Sequence, residues 1–571
     1  MLKRIGDWMD ARTGHRALLN EALYERVLGG ARWRYVFGSA LVVLILLQAA
    51  TGIALELYYS PSTTDAWASV NYIQTQVQMG ALVRGLHHFG ASAIVVLVVV
   101  HLLQTAWAGA FRAPREMNWL AGFVLFQIIL ALALTGYLLP WDQKGYWATQ
   151  VATSIAGTLP LIGPQMQTFL QGGTSYGNLT LTRFHTLHVV LLPAGLFLFL
   201  GVHLALFRKH GVTPPDNLSK EELERRAEPF FPRQLLYDTA FAGAAVVVLF
   251  LLAWRLGAPL EAPADPSSQY LARPEWYFLP LFQLLKYFEG GAELVGTVIL
   301  PGVAMGFLAG LPFLHAALTR KGPRVHQALA LALTVGLLGV AGLGGLAMYE
   351  DANNPALASM AARSQEEAAE ARRLAAMGVP TSGPLDLYRN DPMVWGRRVI
   401  TAKCQTCHQT CDTQPYTGSP CLEGYASRAW IARFLRNPRA PHFYGNTKID
   451  EMDAYTGPQE SLDALTEFLY SQGKRTNVTE ALAKKGEALF ESEGCGGCHT
   501  LDGVGSGVAP DLKGWASPEW VAAFIRAPGA ERFFGELNEM EPFDHSRLSE
   551  DELRVVTHWL HTQAAQPLKF P

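Results

Sequence analysis

The sequence predicts an all-α protein, in which a seven-helix transmembrane bundle is followed by two small α-helical modules. The first observation behind this prediction is a series of seven apolar segments, each long enough to cross a hydrocarbon core of about 30 Å. These segments are residues 35–58, 83–107, 117–139, 184–207, 236–256, 293–318 and 327–349. The second observation is the motif Cys-x-x-Cys-His, which occurs twice in the more polar remainder of the chain.

Composition supports this division. The chain has 571 residues, 50% hydrophobic and 17% charged, so it is too long for one domain and too apolar to be wholly soluble. Its formal net charge of −3 leaves no basic surplus to neutralise phosphates, which excludes a nucleic-acid partner. We expect six regions: an amphipathic N-terminus (1–34), a four-helix bundle (35–230), a three-helix part (231–349), a linker (350–394) and two modules (395–475 and 476–571).

Basic residues fill alternate loops and therefore predict the orientation in the membrane. The loop 59–82 contains no Lys or Arg, and 140–182 contains only Lys144. The basic loops contain Lys3, Arg4, Arg12, Arg16, Arg26, Arg32 and Arg34, then Arg112 and Arg115, then Arg208, Lys209, Lys220, Arg225, Arg226 and Arg233, then Arg320, Lys321 and Arg324. By the positive-inside rule, we expect a bacterial inner membrane protein with a cytoplasmic N-terminus, formed as a surface helix, and a periplasmic C-terminus.

Four histidines at matched depths predict two haem sites. His87 and His101 are 14 residues apart on the second apolar segment, about 21 Å along a helix and within about 40° on one face. His188 and His203 are 15 apart on the fourth, about 22 Å with about 60° of rotation. A lone intramembrane histidine is more often a packed residue. Four such polar groups favour two pairs of imidazoles, which bind b-type haem without covalent attachment.

Two neighbouring histidines do not fit this geometry. His88 lies about 140° around the helix from His101, and His185 lies about 27 Å from His203, which is too far to match the other helix. We therefore expect His88 and His185 to be polar lining residues.

Glycines repeat the same spacing on the first and third segments. Gly38 and Gly52 are 14 residues apart, as are Gly122 and Gly136. We expect each glycine to leave room for a flat porphyrin, with ordinary close packing of helices as the alternative.

Several motifs resemble the cytochrome b subunits of quinol:cytochrome c oxidoreductases, the bc and bf complexes. They are Arg84 with His87 and His101, LTRFHTLH, PWDQKGYW and PEWYFLP, and the resemblance covers about residues 30–350. The 15-residue histidine spacing and the end after a seventh span resemble the bf branch, with its two polypeptides joined. The resemblance implies that His87 and His188 bind the haem nearer the extracytoplasmic side, and that His101 and His203 bind the cytoplasmic-side haem.

The same resemblance implies further site residues. Glu275 and Tyr277 match the quinol-oxidation motif, and Glu275 is a carboxylate at membrane depth, where we expect it to accept a proton. The alternative is that Glu275 caps a helix or pairs with Arg273. Other matching positions are Arg208, at a quinone-reduction site, and Arg84 and Arg183, near haem propionates or as interfacial arginines. Val36 stands where the bf branch commonly has a cysteine, so we expect no covalent extra haem there.

The C-terminal region contains two copies of a covalent haem c attachment motif, followed by parallel runs that each end in a methionine. The motif residues are Cys404, Cys407 and His408 in the first copy, and Cys495, Cys498 and His499 in the second, with Met452 and Met540 as the natural sixth ligands. The stretch KKGEALFESEGCGGCH also resembles small soluble cytochromes c. The alternatives are a redox dithiol or half a zinc site for the motifs, and core packing for the methionines.

The remaining two cysteines, Cys411 and Cys421, are expected to form a disulfide, with free thiols as the alternative.

These observations lead to one expected function and two rivals. We expect an enzyme subunit with two b and two c haems that oxidises membrane quinol, bifurcates its electrons and translocates protons. The expected partners are a separate Rieske iron–sulfur subunit, the quinone pool, a soluble cytochrome c or terminal oxidase, membrane lipid and a second copy in a homodimer. The rivals are a non-bifurcating electron conduit, for which spans five to seven are superfluous, and a transporter, for which no charged midplane pathway is evident.

Overall fold

The computed structural model describes residues 2–215, 217–268, 270–319, 324–449, 451–506, 508–566 and 568. The chain divides into two compact units, Met1–Leu385 and Asp386–Pro571. Within the described residues the strands amount to one two-residue pair, and helix dominates throughout, which confirms the all-α class. Arg320 and Lys321, two of the basic residues used to predict orientation, lie outside the described residues.

The N-terminal segment forms two short helices, where a single surface helix was expected. Helix α1 (Leu2–Thr13) and helix α2 (His15–Leu23) are separated by Gly14, whose φ of 61° does not continue a right-handed helix. Strand β1 (Arg26–Val27) then pairs antiparallel with β2 (Glu228–Pro229). This pairing holds the N-terminal segment beside the start of the fifth span.

In the described part of the chain, seven helical segments are long and apolar enough to cross a membrane. They match the seven predicted segments to within a few residues at most ends, and this is a multi-pass membrane protein. The spans are Trp33–Glu56, with α3 (Val36–Glu56); α5 (Gly80–Trp107); α6 (Glu116–Leu138); Asn178–His210, with α9 (Asn178–Thr186) and α10 (Leu192–His210); α12 (Arg233–Leu256); Gly290–Leu318, with α14 (Leu300–Leu318); and α15 (Val325–Ala352).

Short helices connect the spans. The predicted interfacial helices between spans three and four are α7 (Gln143–Gly157) and α8 (Gly163–Gln171). The others are α4 (Ala66–Thr75), α11 (Lys220–Arg225) and α13 (Leu279–Leu285), and α16 (Pro355–Ala375) follows the last span. Asp142 accepts a hydrogen bond from the Gly145 N–H at the start of α7, which stabilises the helix end.

The first four spans pack as two helix pairs around one apolar core. Helix α3 packs on α5, and α6 packs on α10. Leu44, Ile94, Leu125 and Leu196, one from each of these helices, are buried together in the core. Helix α12 covers α3 and α5 from outside. The pairs α3/α5 and α6/α10 carry the two sets of histidines and glycines.

The second unit repeats one three-helix pattern. The first repeat contains α17 (Pro392–Lys403), α18 (Arg428–Arg436) and α19 (Gln459–Gln472), and the second contains α20 (Glu480–Ser492), α21 (Pro518–Arg526) and α22 (Glu550–Gln563). Serine caps α18 and α21 alike, and Trp430 and Trp520 occupy equivalent buried positions. Helix α17 packs on α22, and α20 packs on α19. Cys411 and Cys421 form a disulfide, as expected.

Candidate functional site

The four histidines face each other in pairs inside the bundle. The ring centroids of His87 and His188 are 6.3 Å apart, with ring planes at 73°. Because an imidazole nitrogen binds a metal at about 2 Å, two rings on opposite sides of one metal have centroids about 6 Å apart. The spacing of His87 and His188 therefore fits a shared iron. His101 faces His203 in the same way at the other end of the helix pairs.

A π turn explains why the second pair of histidines is 15 residues apart. Residues Leu187–Leu191 form one π-helical turn between α9 and α10. Pro193 follows and has no N–H to bond the carbonyl four residues earlier, which favours this irregularity. A π turn adds one residue to a helix without advancing its face by a normal step. Consequently His188 and His203 occupy the same relative positions as His87 and His101 do with 14 residues.

Two threonines hold the imidazoles of the extracytoplasmic pair. The Thr51 hydroxyl donates to the Leu47 carbonyl at 2.8 Å and lies 3.0 Å from His87 Nδ1. The Thr135 hydroxyl likewise donates to a carbonyl of its own helix and lies 3.2 Å from His188 Nδ1. With its hydrogen committed to the helix, each hydroxyl can accept from Nδ1–H, which leaves Nε2 free to bind a metal. The sequence interpretation missed both residues, although Thr-Gly occurs in both helices.

The other pair is held differently. His203 Nδ1 lies 3.0 Å from the Asn118 carbonyl, which accepts its hydrogen. His101 Nδ1 is buried without a hydrogen-bond partner among the residues that the structure describes. Three of the four imidazoles are thus oriented by a protein acceptor, as is usual for metal-binding histidines.

Each of the four spaced glycines lies against one of these histidines. A side chain at Gly136 would place its Cβ 2.5 Å from His188 Cε1, where no atom fits. The corresponding distances are 3.2 Å from Gly52 to His87, 3.2 Å from Gly122 to His203 and 3.5 Å from Gly38 to His101. The group that faces each glycine is therefore an imidazole edge, where a flat porphyrin was expected, and the glycines let the rings sit close to the neighbouring helix.

The two excluded histidines have other surroundings. His185 Nε2 lies 2.9 Å from Glu56 Oε1, at the end of the first span. The His88 ring lies edge-on against Phe89. Both arrangements suit polar lining residues.

The PEWY segment lies against the second and third spans near the extracytoplasmic histidine pair. Glu275 forms an ion pair with Lys144 at 2.9 Å, with side chains 17% and 26% exposed. Arg273 pairs with Asp351 at 2.9 Å, so the alternative pairing of Glu275 with Arg273 was wrong. Tyr277 packs against the core between the spans. Lys144 was missed as a site residue, although it is the one basic residue in its loop.

The three arginines taken from the resemblance lie at the ends of the spans. Arg84 donates to the Ala258 carbonyl at 2.9 Å and to the Gln74 side chain. Arg183 donates to the carbonyl of Phe169. Arg208 forms an ion pair with Glu25, and half of its side chain is exposed. Their contacts to a propionate or a quinone stay predictions.

Both Cys-x-x-Cys-His motifs orient their histidine in the same way. His408 Nδ1 donates to the Pro420 carbonyl at 2.7 Å, and His499 Nδ1 donates to the Pro510 carbonyl at 2.8 Å. Burial lowers the pKa of both histidines, which keeps Nε2 unprotonated. The cysteines Cys404, Cys407, Cys495 and Cys498 are free. The geometry suits covalent attachment of a porphyrin with one axial imidazole.

The comparisons with known proteins follow this division of the chain. Residues 29–211 match the family model "Cytochrome b/b6/petB", residues 263–361 match "Cytochrome b(C-terminal)/b6/petD", and residues 481–560 match "Cytochrome C oxidase, cbb3-type, subunit III". The "Menaquinol:cytochrome c reductase cytochrome b subunit" of Bacillus subtilis (strain 168) is 40% identical over 223 residues, 38% of this chain and 100% of that protein.

Two further proteins show the same coverage or fold. "Cytochrome b6" of Acaryochloris marina (strain MBIC 11017) is 36% identical over 214 residues, again 38% of this chain and 100% of that protein. A solved chain titled "Hyperthermophilic respiratory Complex III" has 26% sequence identity and a TM-score of 0.49, and the match covers 60% of this chain and 97% of that one.

Proposed function

Because the chain belongs to the cytochrome b/b6 family and continues into a cytochrome c domain, we propose that it oxidises a membrane quinol and bifurcates the two electrons. One electron passes to a separate Rieske iron–sulfur subunit and on to the C-terminal unit. The other crosses the membrane and reduces quinone on the cytoplasmic side, so that protons are translocated. The two pairs of facing imidazoles, one near each end of the same four spans, carry this proposal.

The proposed cofactors are two non-covalent b haems and two covalent c haems, which supply one-electron transfer when bound. His87 with His188, and His101 with His203, hold the b haems. Thr51, Thr135 and the Asn118 carbonyl fix the tautomer of three of these imidazoles. The two Cys-x-x-Cys-His motifs hold the c haems, and Arg84 and Arg183 lie where propionates can pair with them.

Glu275 is proposed as the group that accepts a proton from quinol. Its ion pair with Lys144 keeps the carboxylate in a fixed place and in the form that can take up a proton. Tyr277, two residues along, packs against the spans and shapes the same pocket. On the other side, Arg208 is the proposed quinone-reduction residue, because it follows His203 by five residues and half of its side chain is open to a ligand.

The Rieske cluster is assigned to a separate subunit by the cysteine content. Such a cluster takes two cysteines and two histidines. The six cysteines of this chain are four in the haem motifs and two in a disulfide. The acceptor of the C-terminal unit is a soluble cytochrome c or a terminal oxidase. The unit therefore belongs in the periplasm, with the N-terminus in the cytoplasm and the complex a homodimer in the bacterial inner membrane.

Oxidant-induced reduction tests bifurcation against the rival electron conduit. The complex is purified with its partner subunits, the cytoplasmic quinone site is blocked by an inhibitor, and ferricyanide is added in the presence of quinol. Bifurcation forces the second electron onto the b side, so the b-haem absorbance must rise as the c haems are oxidised. A conduit gives the opposite sign, because an oxidant drains all four haems together.

A further inference from the structure

The helices of the C-terminal unit pair across the two sequence repeats. In the first pair, α17 of the first repeat packs on α22 of the second. Gly396 lies at the crossing, where a Cβ would be 2.4 Å from the Val555 carbonyl oxygen. Lys403 Nζ, one residue before the first haem motif, lies 2.9 Å from Glu552 Oε2. These contacts join positions about 150 residues apart.

The second pair has the same construction. Helix α20, which leads into the second haem motif, packs on α19 of the first repeat. Gly486 lies at this crossing, and a Cβ there would be 2.0 Å from the Ala464 carbonyl oxygen. Lys485 forms an ion pair with Glu460 across the same contact. Thus both haem motifs follow a helix that is packed against the other repeat.

The hydrophobic cores follow the helices. Met452 packs on the core formed by Trp430, Phe468 and Phe490, and this core also takes in Cys495 of the second motif. Met540 packs on the core formed by Trp520, Val399 and Ile400, together with Cys404 of the first motif. Each methionine therefore shares a core with the cysteine of the other repeat. The Cys411–Cys421 loop alone packs back on the core of its own repeat.

From this packing we infer that the axial ligands are exchanged: the c haem attached at Cys404 and Cys407 has His408 and Met540 as ligands, and the haem attached at Cys495 and Cys498 has His499 and Met452. This inference rests on the proposed binding of two c haems. It differs from the sequential pairing of each motif with the next methionine. The C-terminal unit is then one interleaved body, and loss of either repeat affects both haems.

Single-haem variants of the full-length chain in its complex test the exchange. Replacing Cys495 and Cys498 by alanine leaves the haem at the first motif. In that background, Met540→Ala is expected to abolish the Met-to-iron absorption band and to lower the midpoint potential, while Met452→Ala leaves both unchanged. The reciprocal background, with Cys404 and Cys407 replaced, reverses the two results. Loss of the band on Met452→Ala in the first background overturns the inference, and so does a band that survives both substitutions.

A cross-linking experiment on the unaltered protein needs no variant to fold. A carbodiimide joins a lysine to a carboxylate in direct contact, so peptide mapping is expected to recover Lys403 joined to Glu552 and Lys485 joined to Glu460. Coupling of Lys403 to α19 instead of α22 overturns the exchange. A pyridine haemochrome assay on the same sample counts the c haems, so absence of c haem, which contradicts the proposed function, is distinguished from sequential pairing.

Discussion

Replacing Glu275 by glutamine tests the proposed quinol-oxidation site, because the change keeps the shape of the side chain and removes its capacity to accept a proton. We expect quinol-dependent reduction of the c haems to slow about a hundredfold, and at least tenfold, since general-base help is worth roughly 10²- to 10⁴-fold. All four haems are expected to remain bound, because Glu275 contacts none of the proposed ligands.

Lys144→Met provides the matched control, because it breaks the same ion pair and leaves the carboxylate in place. At 2.9 Å and an effective dielectric constant of about 20, the attraction is roughly 6 kcal/mol before desolvation is subtracted. Net values are about 0–1 kcal/mol for exposed pairs, and removing one partner of a buried pair costs about 3–5 kcal/mol. With both side chains partly exposed, we take about 1.4 kcal/mol, which is a tenfold effect.

Steady-state turnover and haem spectra on the same preparations decide the matter. If Glu275 accepts the proton, Glu275→Gln loses clearly more activity than Lys144→Met. If Glu275 serves only to hold Lys144, the two variants lose the same activity and the double variant loses no more. Equal losses, or near-normal turnover of Glu275→Gln with intact spectra, would refute the proton-acceptor role. Loss of haem together with turnover would show a structural role.

Three further predictions concern the haem sites and the C-terminal unit. A pyridine haemochrome assay is expected to give two b and two c haems per chain, and a ratio of three c to two b would contradict the absence of a covalent haem near Val36. Thr51→Val and Thr135→Val each remove an acceptor for an imidazole N–H, so the extracytoplasmic b haem is expected to bind roughly 10- to 100-fold more weakly, measured by haem loss in detergent, with c-haem content unchanged. Hydrogen bonds from Arg428 hold the pKa of buried Glu467 below its ordinary 4.5, so this pair stabilises the unit above that pH and the stabilisation is lost as the pH falls through the lowered pKa; Glu467→Gln should lower the guanidinium midpoint followed at the c haems at pH 7 and leave it unchanged in strong acid.

The membrane-spanning part was largely predictable because its signals are local. Hydrophobicity and length determine a span by themselves, so six of the seven segments were placed within a few residues at both ends. The fourth begins at Asn178, six residues before the predicted start at 184, because its first turns are polar and lie outside the apolar run. The His87 and His101 spacing depends only on helix geometry, and the structure gives both the depth and the face that this geometry requires.

The partners of the site residues were not predictable in the same way. Lys144 and Glu275 are 131 residues apart, and nothing in either local sequence selects the other. Similarly, the π turn at Leu187–Leu191 depends on how Pro193 is accommodated inside a long helix. The 15-residue spacing gave a rotational mismatch, and the mismatch was itself the sign of an irregular turn, which straight-helix geometry cannot express.

The exchanged helix pairs arise from a competition that repeats create. Both repeats carry an apolar N-terminal helix with a glycine at its crossing point, so α17 and α20 can each pack on either C-terminal helix. The connection between α19 and α20 is short, residues 473–479, and short connections favour antiparallel neighbours. Once α20 occupies α19, the surface left for α17 is that of α22. Chain connectivity therefore decides a choice between nearly equal contacts, and for this reason the motifs alone predict two sequential modules.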